Sequence, residues 1–296
     1  MTDYVIGEPI AVGSEQSRDV VVERHGAALL IRLSRTARFN AIGGTMLRDL
    51  IDAFEQAAQD DDVRVVVTTG AGGSFCVGAD VADFPRVAHL PARELLVSDL
   101  IGGEKGLPAL SAGQVDREEL GNAGRVALRL WSLEKPTIAA VNGPAVGGGF
   151  ALALLHDLRL CSSSAQFGTG FLTAGLAPEM GTSVLLPNLV GGAAATELLY
   201  TGRMLDAAAA QRMGIVSEVI GDDELLDRAL ELATRIATYP ALAAQLTKRL
   251  LRRAMGDTLE AQLRAEYSAQ VSLFDDPGTR SALDRLTQRV KGGKRG

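Results

Sequence analysis

The sequence predicts an α/β fold with a C-terminal helical appendage, and three observations carry that expectation. Short β-branched runs alternate with helix-period segments over residues 20–180, a pattern that implies strands paired in parallel. Two of those strands run into glycine-rich loops. After Gly181 the pattern is helical almost throughout. With 296 residues, 47% hydrophobic and 22% charged, the chain has apolar material for one large domain, or for a domain plus an appendage.

The elements follow in order. VVVERHGAALLIRLS, residues 20–34, reads as a hairpin turning at His25 and Gly26. Over 45–60 the apolar positions Met46, Leu47, Leu50, Ile51, Phe54 and Ala57 recur at helical spacing, so one face is buried. Residues 65–69 form a β-branched buried strand, ended by Gly70, Gly72 and Gly73. FCVGAD, 75–80, continues without helical periodicity. Residues 81–115, with Pro85, Pro91, Pro108 and GGEKG, read as a mobile insertion near the substrate. A helix is expected from Arg117 to about Leu133, a strand over 136–143, a helix over 149–156 and a strand in DLRLCSS. Beyond Gly181 come helices broken at Gly191/Gly192, Gly202, Gly214 and Pro240, with one strand at 216–220. Residues 1–220 are thus expected to form the core and 221–296 a helical region.

Composition excludes several classes. A net charge of −6 opposes a phosphate-backbone partner, so no nucleic acid is expected. Cys76 and Cys161 lie in no CxxC or Cys/His spacing, which points to a reducing compartment and no metal site. The first residues lack a basic start followed by an apolar core, so a cytoplasmic location is expected. The apolar stretch 137–155 contains Asn142, Pro144 and four glycines, which suits a buried strand, loop and helix rather than a membrane span. Gly70, Gly72 and Gly73 suggest a dinucleotide fingerprint, but Phe75 stands where its last glycine belongs and no helix follows. His25, His89 and His156 are dispersed and read as structural or surface residues.

SFCVGAD at 74–80 and AVNGPAVGGGFAL at 140–152 carry the functional signal. Three glycines opening a helix let a backbone NH approach a ligand closely, and one NH from each loop can grip a thioester oxygen. In this order, with ARFNAIGGTM at 37–46, KPTIAAVNGPAVGGG at 135–149, DLRLCSSSAQFG at 157–168 and LVGGAAATELLYTGRMLDAAAAQRMGIVSEVI at 189–220, the chain resembles the crotonase, or enoyl-CoA hydratase/isomerase, family over about residues 20–290. The resemblance implies a spiral of ββα units and an acyl-CoA thioester as substrate, with coenzyme A part of that substrate and no separate cofactor. It places the two oxyanion NH donors on Val77 and Gly148. It places adenine and phosphate contacts on Ala37, Arg38, Asn40 and the turn through Gly78, Ala79 and Asp80, although Asp80 also suits holding that turn by a side-chain hydrogen bond. It further implies a homotrimer or dimer of trimers built through the C-terminal helices.

The departures are informative. Family hydratases carry two glutamates, one three residues after the oxyanion glycine and one twenty further on; here those positions are Ala151 and Phe171. Neither exchanges a proton, so two-glutamate hydration is not expected, and Phe171 is expected to line an apolar acyl pocket. Glu179 in GLAPEMGTS stands where similar dienoyl-CoA isomerases and chlorobenzoyl-CoA dehalogenases carry an essential aspartate. One base suffices to move a proton between carbons of an enolate, which favours double-bond isomerisation. The residues leave other readings open: Glu179 only complements the dipole of the helix beginning near Gly181, or the reaction is another of the lyase or hydrolase type, with Glu179 as a nucleophile or with ordered water alone, or the protein binds acyl-CoA without turnover.

Overall fold

In the computed structural model, which describes residues 18–82, 90–97, 119–255 and 258–292, the expected hairpin is present. β1 (Val20–His25) pairs antiparallel with β2 (Ala28–Leu33), and Gly26 supplies the positive φ of the turn. From β2 the sheet grows in parallel through β3 (Val65–Gly70), β4 (Thr137–Val141), β6 (Leu158–Ser162) and β9 (Glu218–Ile220), in the order β1-β2-β3-β4-β6-β9. The mixed α/β architecture matches the predicted class.

Between β2 and β3 lies α1 (Met46–Gln59), whose buried face is Met46, Leu47, Leu50, Ala53, Phe54 and Ala57. Ile51, expected in that stripe, is only partly buried, and Ala53 fills the face instead. α2 (Ala92–Val97) is the described part of the expected insertion, most of which lies outside the described residues together with His89. The helix expected from Arg117 is α3 (Gly121–Ser132) among the described residues.

A second sheet escaped the sequence reading. β5 (Ala145–Val146), β7 (Gln166–Gly168) and β8 (Leu205–Asp206) pair in the order β5-β7-β8. Elements of two or three residues show no alternation to read, and β8 interrupts a stretch expected to be helical. The short α4 (Gly148–Leu154) leaves β5 with every residue buried. Beyond it come α5 (Thr182–Val190), α6 (Gly192–Thr201) and α7 (Ala207–Arg212).

The expected boundary at residue 220 does not divide the packing. α8 (Leu225–Ala237) lays Leu225, Ala229 and Ala233 on the sheet face formed by Leu30, Val65, Val67, Ile138, Ala140 and Leu160. With α1 and α3 on the opposite face, β3 and β4 are covered on both sides, which is why every one of their residues is buried rather than every second one. The remaining helices, α9 (Ala241–Ala254), α10 (Thr258–Asp275) and α11 (Pro277–Gly292), also bind back to this chain. Gln270 donates to the Ala177 carbonyl, Thr279 to that of Gly175 and Thr287 to that of Val81. Thus α10 and α11 lie over the segment that carries Glu179. Among the described residues, no helix is long and apolar enough to cross a membrane.

Candidate active site

The two glycine loops meet edge to edge. Cys76 forms a parallel bridge with Ala145: its NH donates to the Pro144 carbonyl at 3.1 Å, and its own carbonyl accepts from Val146 at 2.9 Å. The glycines that follow have separate tasks. Gly147 takes a positive φ of 54° and donates to the Gly168 carbonyl. At Gly149 a Cβ would stand 2.0 Å from the Cys76 carbonyl oxygen, so only glycine lets the two backbones approach. Gly148 alone faces the site: a Cβ there would meet Ile42 Cδ1 at 2.8 Å, Glu179 Oε1 at 3.6 Å and Met180 Sδ at 3.7 Å.

Val77 and Gly148 therefore lie on adjoining strands of backbone. Gly78 has φ 84°, and a Cβ on it would be 3.5 Å from the Gly148 nitrogen. Gly148 is the first residue of α4, where an NH has no intrahelical acceptor. Among the described residues, neither the Val77 nor the Gly148 NH donates a hydrogen bond.

Glu179 comes to Gly148 from the other side. Met180 and Gly181 both adopt positive φ, 53° and 81°, and this left-handed pair turns the chain from Glu179 into α5. Met180 is not glycine, so the turn holds strain that its buried side chain and the hydrogen bonds from Thr182 to the Glu179 carbonyl sustain. No described residue donates a hydrogen bond to the Glu179 carboxylate. Burial, and then the nearby charge of Glu266, push its pKa up to about 7.

The helix-dipole role open to Glu179 is filled by a residue that sequence reasoning missed. Glu266 on α10 accepts from the Gly181 NH at 2.8 Å, the Ser183 NH at 3.1 Å and the Ser183 hydroxyl at 2.5 Å, and so caps α5 from a distance of 85 residues in sequence. A signal for it exists: Leu263, Glu266, Tyr267 and Gln270 recur at helical spacing on the buried face of α10, where a carboxylate is out of place.

The expected coenzyme contacts divide into two groups. Ala37 is exposed and Arg38 half-exposed in a 3-10 turn (Thr36–Arg38), beside the Gly78 to Asp80 turn. Ala79 bridges to Ile42. Asp80 is buried and bound to Arg35 at 3.2 Å, with Arg38 at 3.7 Å, so it holds the turn together. Asn40 is fully buried and its amide is bound to the protein, accepting from the Arg35 NH and donating to the Ala71 and Ser74 carbonyls. Both of its amide hydrogens are committed to the protein, and the side chain pins the loop.

Ala151 and Phe171 are both buried apolar residues. His156 is buried and neutral, its pKa lowered to about 4 by burial, with ring nitrogens on the Leu152 carbonyl and the Thr68 hydroxyl; His25 faces Glu23. Cys76 and Cys161 are free thiols, both raised to about 12 by burial. Among the described residues, no group of three or more His, Cys, Asp or Glu side chains could hold a metal ion.

Residues 23–93 and 116–291 match the family described as enoyl-CoA hydratase/isomerase, and the chain belongs to that family, the crotonases. It is 39% identical over 212 residues to a Mycobacterium leprae protein named "Probable enoyl-CoA hydratase echA12"; the match covers 70% of this chain and 65% of that relative, a little under two thirds of its length. Its fold is similar to the crystal structure of an enoyl-CoA hydratase/isomerase from Pseudoalteromonas atlantica T6c, with a TM-score of 0.77 at 27% identity over 92% of this chain and 98% of that one. A monofunctional enoyl CoA isomerase from M. smegmatis is similar with a TM-score of 0.63 at 32% identity, over 81% and 94% of the two chains.

Proposed function

We propose that the protein is an acyl-CoA isomerase-type enzyme in which the Val77 and Gly148 NH groups bind the thioester oxygen and Glu179 carries a proton between carbons of the acyl chain. As the carbon acid loses its proton, negative charge moves to the thioester oxygen, where two fixed donors meet it. The observation that carries this reading is the Glu179 carboxylate: it lies beside Gly148, no described residue donates a hydrogen bond to it, and its pKa of about 7 lets it both take and return a proton at neutral pH. Ala37, Arg38 and the Gly78 to Asp80 turn are assigned to the coenzyme moiety, and Phe171 to the acyl pocket. With Ala151 and Phe171 in place of the paired glutamates, water addition has no acid-base pair to drive it.

The test is a screen of enoyl-, dienoyl- and aryl-CoA thioesters with mass detection of products, followed by Glu179→Gln on whichever substrate turns over. Glutamine keeps the size of the side chain and removes its basicity. Binding is expected to be nearly unchanged and the rate to fall about 10²-fold or more. An undiminished rate in the variant would refute Glu179 as base. Tight binding without turnover of any thioester by the wild type would instead favour an acyl-CoA-binding protein.

A further inference from the structure

Behind Glu179 lies a small cavity with Leu96, Leu120, Met180 and Leu263 among its walls, and α10 places Glu266, Tyr267 and Gln270 along it. Two carboxylates thus line one small, largely apolar cavity, where like charges repel. Their surroundings are unequal. Glu266 receives three donors, and Gln262 Nε2 adds a fourth contact by donating to the Ser183 hydroxyl oxygen at 2.8 Å, which leaves the Ser183 proton directed at Glu266. Glu179 receives none from the described residues. Donors aimed at a carboxylate favour its ionised form, so the pair's charge settles on Glu266.

We propose that Glu266 is a positioning residue for the reaction: by holding the negative charge of the pair, it keeps a proton available on Glu179 at neutral pH. This rests on the reading of Glu179 as the base. Burial raises the pKa of Glu266 as well, and its donors from Ser183 and Gly181 pull it back. Among the described residues, the other groups facing Glu179 do not compete for this role. α10 adds only Tyr267 as a further titratable group; α3 presents Gly121, Ala123 and Gly124, α2 presents Leu96, and α4 presents Gly148. Through Glu266, α10 takes part in the chemistry as well as the packing.

Carboxyl 13C NMR of glutamate-labelled protein tests this directly, with Glu179 and Glu266 assigned from the two Gln variants. In the wild type, Glu266 is expected to remain ionised at a pH where Glu179 is still protonated; the reverse order overturns the proposal. In Glu266→Gln the repulsion is gone, ionising Glu179 becomes easier, and its midpoint falls below about 7. The acid limb of the kcat/KM profile is expected to move down with it, each unit raising activity below the limb about tenfold relative to the plateau. Gln262→Ala loosens the Ser183 contact but keeps the Glu266 carboxylate and its two backbone donors, and is expected to move the limb far less than Glu266→Gln does. An unmoved Glu179 midpoint in folded Glu266→Gln overturns the proposal. A moved midpoint with a fully active Glu179→Gln supports the charge coupling and refutes the base assignment instead, so the two failures are distinct.

Discussion

Glu179 makes the folded state sensitive to pH in a direction opposite to that of a salt-bridged carboxylate. Below its ordinary pKa of 4.5 the side chain is protonated whether folded or unfolded; between 4.5 and about 7 the unfolded chain ionises while the native one keeps its proton. The native state then binds more protons, so stability falls as pH rises through this window, by up to about 3 kcal/mol once pH exceeds 7. Glu179→Gln removes that loss. Urea unfolding is expected to show the variant gaining on the wild type by up to about 3 kcal/mol between pH 4.5 and about pH 8, with no such gain if Glu179 were paired with a cation. A second residue-scale prediction concerns Gly149, where an added Cβ meets the Cys76 carbonyl rather than a movable side chain. Gly149→Ala is expected to cost about 1–3 kcal/mol in the same assay. The glycine triplet was readable from sequence as a site where backbone approaches closely. Its division of labour was not, because the partner of Gly149 is the other loop, more than 70 residues away.

At the scale of elements, α9 is tied to the core through a buried charge cluster. Although burial pushes the Asp157 carboxyl up, Lys248 and Arg252 hold it below the usual carboxylate range; Lys248 lies at 2.7 Å and Arg252 at 3.2 Å. Arg252 also stacks over Trp131, and Lys248 donates to the Lys135 carbonyl. Asp157→Ala leaves two partly or fully buried cations without their carboxylate and is expected to destabilise by about 3–5 kcal/mol, measured by denaturant unfolding. The long periodic elements, α1 and the strands β1 to β4, were legible because burial on one or both faces imposes a repeating pattern. The sheet β5-β7-β8 was not, because each strand is shorter than one readable repeat. Glu266 belongs to a third case: its helix was expected, and its position on a buried face was visible, but the α5 terminus it caps could be matched to it only in three dimensions.

For the whole molecule, the single chain leaves an apolar row uncovered. Tyr239 and, one turn apart along α9, Leu242, Leu246 and Leu250 are exposed, and contiguous exposed apolar side chains of this kind mark association surfaces. This suits association through the C-terminal helices, for which the family resemblance implies a trimer or dimer of trimers. Light scattering is expected to give three or six copies per particle, and Leu246→Glu with Leu250→Glu to shift the protein to a smaller assembly; a monomeric wild type would refute this. The central claim, that the paired backbone donors and Glu179 move a proton on an acyl thioester, is tested most directly by deuterium uptake from heavy water into a bound enoyl-CoA, followed by mass spectrometry. The wild type is expected to introduce deuterium on the acyl chain, and Glu179→Gln to do so about 10²-fold more slowly or less. Equal uptake by both proteins, or neither uptake nor double-bond migration by the wild type on any thioester that binds, would contradict the account.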